Sequence, residues 1–504
     1  MLKLKNLNFY WALFLLAFIP LYPKFPLFNV PGTYVAIRLE DLFILITFII
    51  TLPYLKKLTR HPKLKNHLFI PLALFFFIGL ISSLKSIFIY QITPPHLTLL
   101  HYLRRFEYLV PLFFFLTLKL STPRLKTLFT TLIGTTLLID IYAYGQKTWQ
   151  WPVISTMNEE FSKGLLLKLT WLARVNSTFA GHYDLAIFLV LILNLTLGFY
   201  YYFIHKKTIR LFFWLYWFFT FYILVLTASR ISIVTFFLTI PPFFVILRHY
   251  KTVLLVTLLT IILTLQSQNL NQRFFALLPP LIQQKITTLN HKLTLPKTSW
   301  HNLKFAFITT TTPTSTPIPT PTPTLYPSPT PTLIPKPKTP LHLSQNTSLP
   351  QITPSIATPT AHKATPSSQK PFPTPEPVTA AAARSSQIRF QVEWPRALRA
   401  FLKNPLIGTG YASLGLATDN DYLRLLGETG LLGFLSFLYL LISLIYLTTL
   451  RVHKYLTLSF ITAFVSFLMA ATFIDAFESS KIAYCFWMMF GLFINLSLNY
   501  KDKP

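Results

Sequence analysis

Arg174 and Arg230 draw attention first, because neither has a carboxylate close to it in the sequence. Arg174 opens the run Arg174-Val175-Asn176-Ser177-Thr178-Phe179-Ala180-Gly181-His182, with Asp184 just beyond, and Arg230 closes Thr227-Ala228-Ser229-Arg230. An arginine keeps its charge at any physiological pH, and its planar fork of donors matches two phosphate oxygens at once. Fixed guanidiniums can therefore hold a phosphate or pyrophosphate and stabilise negative charge growing on a leaving group. Arg389 is a third candidate for that role. His182 reads either as a hydrogen-bonded structural residue or as a base.

Other polar residues gather in short groups: Arg38 with Asp41; Arg104 and Arg105 with Glu107; Asp475 and Glu478 with Lys481. They could serve a substrate, or they could pair with one another and hold helices together, Glu107 with Arg104 or Arg105 and Asp475 with Lys481. The densest stretch is Asn404-Pro405-Leu406-Ile407-Gly408-Thr409-Gly410-Tyr411, which leads to Asp419-Asn420-Asp421-Tyr422-Leu423-Arg424-Leu425-Leu426-Gly427-Glu428-Thr429-Gly430. Gly408 and Gly410 permit a tight turn. Either Asp419 or Asn420 can cap the helix that follows, in which Arg424 and Glu428 stand at i, i+4. A carboxylate such as Asp419 can also accept a proton from an attacking hydroxyl.

These residues must be positioned in lipid. The chain has 504 residues, of which 52% are hydrophobic and only 12% charged, half the charged fraction of a soluble protein. Its net charge of +30 would suit nucleic acid, but the lysines and arginines fall as short clusters between apolar runs and read as topology signals. A single cysteine, Cys485, excludes an intramolecular disulfide and a cysteine-based metal site. The periodicity and length of the apolar runs predict an all-α polytopic bundle of about twelve spans. They fall at 8–24, 40–55, 67–88, 98–118, 127–144, 184–204, 211–228, 231–247, 252–266, 430–449, 455–474 and 482–499. Alternate loops hold Lys56, Lys57, Arg60, Lys63 and Lys65; Lys119, Arg124 and Lys126; Lys206, Lys207 and Arg210; and Arg451 and Lys454. That bias puts both termini in the cytoplasm and the polar groups on the opposite side.

The chain thus divides into an N-terminal bundle of about nine spans (1–266), an external segment (267–429) and three C-terminal spans (430–504). Within the external segment, 267–308 opens the loop and 309–379 is a Pro/Thr/Ser tract whose composition favours extended, solvated chain. Residues 380–429 carry the motifs. They include a basic helix over 387–403, kinked or divided at Pro395, with Arg389, Arg396, Arg399 and Lys403 sharing one face. Such a helix suits a membrane surface, with its cations among lipid phosphates, as well as a substrate.

The runs from Arg174 to His182, Thr227 to Arg230, Asn404 to Gly410, Asp419-Asn420-Asp-Tyr-Leu, and Glu428-Thr-Gly-Leu-Leu-Gly433 together resemble the O-antigen ligase and polymerase family of bacterial membrane proteins. The likeness runs from about residue 30 to the C-terminus, the Pro/Thr tract apart. It implies transfer of a glycan from an undecaprenyl-pyrophosphate donor to a hydroxyl on a glycan or lipid acceptor, at the outer face of the cytoplasmic membrane, with no cofactor, metal or nucleic acid. Arg174, Arg230 and Arg389 would bind the pyrophosphate. Arg104, Arg105, Asn420, Arg424 and Glu428 would contact pyrophosphate or glycan, and Asp419 and His182 would be catalytic. Ligases of the family often carry a histidine where this chain has Asp419, which leaves ligase and polymerase both open. An anion transporter is the competing class, since arginine-lined cavities suit anions too. The inverted repeat common in transporters is not evident here.

Overall fold

The computed structural model describes residues 2–30, 36–154, 166–169, 173–275, 387–415, 417–449 and 452–499. The Pro/Thr tract 309–379 lies outside them. All described residues belong to one compact unit built from Met1–Ile286 and Glu376–Pro504.

About 79% of the described residues are helical, which places the fold in the all-α class. The helices are α1 (Leu2–Leu21), α2 (Leu39–Thr59), α3 (Pro62–Tyr90), α4 (Pro95–Leu116), α5 (Thr122–Thr148), α6 (His182–Phe203), α7 (Lys207–Leu226), α8 (Arg230–Ile246) and α9 (Tyr250–Gln266). There follow α10 (Gln268–Phe275), α11 (a π-helical turn over Ile388–Glu393 running into Trp394–Lys403), α12 (Asp421–Thr449), α13 (Lys454–Ala470) and α14 (Ser480–Asn499). Two short antiparallel pairs, β1 (Pro26–Asn29) with β2 (Ala36–Arg38) and β3 (Val153–Ile154) with β4 (Leu166–Leu167), border α2 and the segment before α6.

A helix occupies each expected span position. Among the described residues, seven (α2, α3, α5, α6, α7, α12 and α14) are long and apolar enough to cross a membrane. Helices α8, α9 and α13 and the Asn6–Leu21 part of α1 are apolar but shorter, and α4 carries Arg104, Arg105 and Glu107 in its middle. The outward faces are apolar as well: α2 exposes Leu42, Leu45, Ile49 and Leu52, and α9 exposes Leu254, Leu258, Ile261 and Leu265. Those i, i+3/i+4 stripes have no place on a water-facing helix but suit a lipid-facing one. The centre is α6, buried along nearly its whole length. Hydroxyls inside the bundle turn back onto their own helices, as Thr196 does to Ile192 O (2.8 Å) and Thr239 to Thr235 O (2.9 Å). Hydrocarbon supplies no alternative partner.

The two ends of the bundle differ in chemistry. At one end the basic loops meet: Arg124 reaches Asn6 (2.7 Å), Asn495 of α14 donates to Phe115 O (2.8 Å), and the His453 and Tyr202 rings lie 5.0 Å apart. At the other, Lys481 Nζ donates to Thr178 O (2.8 Å) and Ser480 to Glu40 (2.7 Å), which ties α14 to α2 and to the segment before α6. The candidate site lies at this second end.

Candidate functional site

The segment before α6 is a buried loop whose polar side chains replace missing backbone partners. Ser177 Oγ donates to Ile139 O (2.7 Å), Ser177 N to Gln146 Oε1 (2.8 Å), Thr178 Oγ1 to Pro20 O (2.6 Å), and Asn176 Nδ2 to Phe179 O (3.1 Å). So anchored, the loop presents Arg174 beside the first turn of α6, where its Nη1 meets His182 Nε2. Ser229 caps α8 through Ser232 N (3.4 Å) and sets Arg230 in that helix's first turn. Arg389 comes from the π-helical turn of α11 and is 6% exposed.

The three arginines converge on Tyr183. Arg174 and Arg389 each hydrogen-bond the Tyr183 side chain, and their guanidiniums lie 5.8 and 5.5 Å from its ring centre. Arg230 lies within electrostatic reach of Tyr183, Arg389 and Arg174. Asp419 joins them: its Oδ2 accepts from both Nε and Nη2 of Arg389, each at 2.7 Å. Burial, opposed by Tyr183 and reinforced by the charge of Arg389, holds Arg174 below the usual arginine range. Burial also works against the charge on Arg389, but Asp419 and Tyr183 outweigh it and raise its pKa. The Asp419 carboxyl is pushed up by its own burial, with Arg389 pulling it down and Asp475 pushing it up. Guanidiniums gathered this closely repel one another and favour an added anion.

The remaining residues expected at the site fall into two other networks. Arg424 binds Asp475 through Nη2 (2.9 Å) and its Nη1 lies 3.7 Å from Glu428, while Arg105 pairs with Glu478 and lies 3.7 Å from Glu428. Arg104 binds neither Glu428 nor Asp475. Its Nε donates to Tyr108 (2.8 Å), and the neighbouring Glu107 accepts from Tyr484. Arg105, Arg424 and Glu428 therefore hold α4, α12 and the α13–α14 turn together, apart from the arginine cluster. The expected Asp475–Lys481 pair does not form. Lys481 donates to backbone carbonyls, while Asp475 accepts from Thr418 N (2.9 Å), Asn420 N (3.2 Å) and Arg424. Asn420, not Asp419, caps α12, its Oδ1 accepting from Leu423 N (3.0 Å). Asp419 has φ +49°, and its carboxylate points to Arg389 instead.

The Asn404–Gly410 run has an unexpected task. Helix α12 breaks at Gly430 (φ 67°, ψ −170°), which separates Gly427 O and Glu428 O from Leu431 N and Leu432 N. The run docks into the gap. Thr409 N and Gly410 N donate to Gly427 O (3.0 Å) and Glu428 O (2.8 Å), while Leu431 N and Leu432 N donate to Pro405 O (2.8 Å) and Leu406 O (3.0 Å). Gly408 (φ +69°) approaches so closely that a Cβ there would meet Glu428 C at 2.4 Å.

The shared cationic face expected on α11 is split. Arg389 and Arg396 turn inward, Arg396 Nη2 donating to Ala417 O, whereas Arg399 and Lys403 stay exposed beside Leu398 and Leu402. The division falls between Arg396 and Arg399, in the regular turns that follow the π-helical one. Sequence reasoning missed Tyr183, although it follows His182 directly. It also missed Glu393, which stands four residues beyond Arg389. A scan of protein-family models and a search of curated proteins return no match to this chain.

Proposed function

We propose that this protein is a membrane glycan transferase that moves a glycan from an undecaprenyl-pyrophosphate carrier to an acceptor hydroxyl on the outer face of the bacterial cytoplasmic membrane. The observation that carries the reading is the convergence of Arg174, Arg230 and Arg389 on Tyr183. Three pre-positioned guanidiniums suit a leaving group that gains negative charge as its bond to the sugar breaks. In this reading about twelve helices cross the membrane, both termini are cytoplasmic, and the arginine end faces outward, where the lipid-linked donor is displayed. His182 orients Arg174, and a carboxylate beside Arg389 supplies the proton chemistry.

The same arginines would suit an anion carrier, and one preparation distinguishes the two. The full-length protein is reconstituted in liposomes with a lipid-linked oligosaccharide donor and an acceptor glycan. Transfer predicts release of undecaprenyl pyrophosphate together with an extended acceptor. Anion flux without release would establish the carrier reading and remove this one.

A further inference from the structure

The arginine cluster accounts for a leaving group but not for the proton that an acceptor hydroxyl must lose. Three carboxylates act on one another here, Asp475, Asp419 and Glu393. Asp475 is committed to Thr418 N, Asn420 N and Arg424, and Asp419 Oδ2 takes both donors from Arg389. Glu393 differs. It sits in the π-helical turn of α11, four residues past Arg389, and its buried Oε2 has no hydrogen-bond partner among the described residues. The charges facing it are Arg389 and Arg396 from its own element, Asp419 from the loop before α12, and Asp475 from the α13–α14 turn. Among the described residues, Trp394 Nε1 next to it in the chain and Thr418 Oγ1 in the loop before α12 are likewise buried without partners. A buried acceptor and two buried donors left unmatched on adjoining segments are costly unless something else completes them. A sugar hydroxyl, which both donates and accepts, would do so.

We propose that Glu393 is the proton acceptor of the transfer reaction and that Asp419 serves to hold Arg389 in place. The proposal rests on the transferase reading. The acceptor oxygen attacks the anomeric carbon of the donor sugar, and the bond from that carbon to the phosphate oxygen breaks. The electron pair leaves on the pyrophosphate, and the hydroxyl proton passes to Glu393 Oε2. Burial, then the charges of Asp419 and Asp475, push the Glu393 carboxyl up to about 7, against the pull of Arg389 and Arg396. That value suits a general base working near neutral pH. A base must be unprotonated to act, so kcat rises with pH through this range.

The test measures kcat against pH, and donor affinity separately, for reconstituted full-length wild type, Glu393→Gln, Glu393→Ala and Asp419→Asn. Glu393→Gln should lose about a hundredfold to ten-thousandfold in kcat, the usual contribution of a positioned base. Its donor affinity should stay unchanged and its acidic limb near pH 7 should vanish. Glu393→Ala should recover part of its rate on addition of formate, which a purely structural residue would not allow. Asp419→Asn should bind donor more weakly and keep the limb. Wild-type rates in Glu393→Gln, or a limb lost in Asp419→Asn instead, would overturn the proposal alone. Absence of undecaprenyl pyrophosphate release by the wild type would remove the transferase reading as well.

Discussion

Replacing Gly430 by alanine should dislodge the Asn404–Gly410 run, and the size of the effect can be worked from the geometry. The backbone at Gly430 (φ 67°, ψ −170°) lies in a region open essentially to glycine alone, where another residue costs roughly 1–3 kcal/mol. A Cβ there would stand 2.4 Å from Leu406 C and 2.5 Å from Ile407 N, both backbone atoms that no side-chain rotation can clear. The run must then lift away, and the four backbone hydrogen bonds that bridge the break are lost or stretched. Each contributes about 0.5–1.5 kcal/mol net. Strain and lost bonds together come to at least about 3 kcal/mol, more than a hundredfold in the ratio of folded to unfolded protein. Gly134 is the internal control. It faces outward on α5, and a Cβ there would meet nothing within 4 Å. Alanine at 134 should be neutral or stabilise by roughly 0.5–1 kcal/mol, the usual helix preference for alanine over glycine. The assay heats detergent-solubilised full-length protein and follows the monodisperse fraction by size exclusion. Gly430→Ala should lose that peak well below the wild-type temperature, and Gly134→Ala should not. Equal midpoints for Gly430→Ala and wild type would refute the account of the broken helix.

Arg174→Lys and Arg230→Lys should each lower transfer strongly with normal membrane insertion, because lysine keeps the charge but loses the planar fork. Full transfer by both variants would remove the arginines from the site. Asp475→Ala leaves the buried Arg424 without its closest carboxylate and should cost about 3–5 kcal/mol, read as a fall in the thermal midpoint of the solubilised protein. Reporter fusions after Thr208 and Val452 should report cytoplasm and fusions within 309–379 the exterior; the reverse pattern would turn the arginine end inward.

Sequence alone determined where the helices lie. Hydropathy is a local property, summed over about 20 residues, and each apolar run between basic clusters became a helix in its expected place. Residue type also singled out Arg174 and Arg230, since a guanidinium with no nearby acid is conspicuous in one dimension, and Arg389 stood out within a basic helix. Partnership was another matter, because it depends on which helices become neighbours. Arg104 and Arg105 are adjacent in the chain yet take different partners, one Tyr108 and the other Glu478, 373 positions away. Asp419 and Asn420 were equal candidates for a helix cap. The left-handed turn at Asp419 sends its carboxylate to Arg389 and leaves the cap to Asn420. Tyr183 and Glu393 carried no signal in the sequence, because a tyrosine among arginines and a carboxylate with an unclaimed oxygen exist only once α6, α11 and the loop before α12 have packed together.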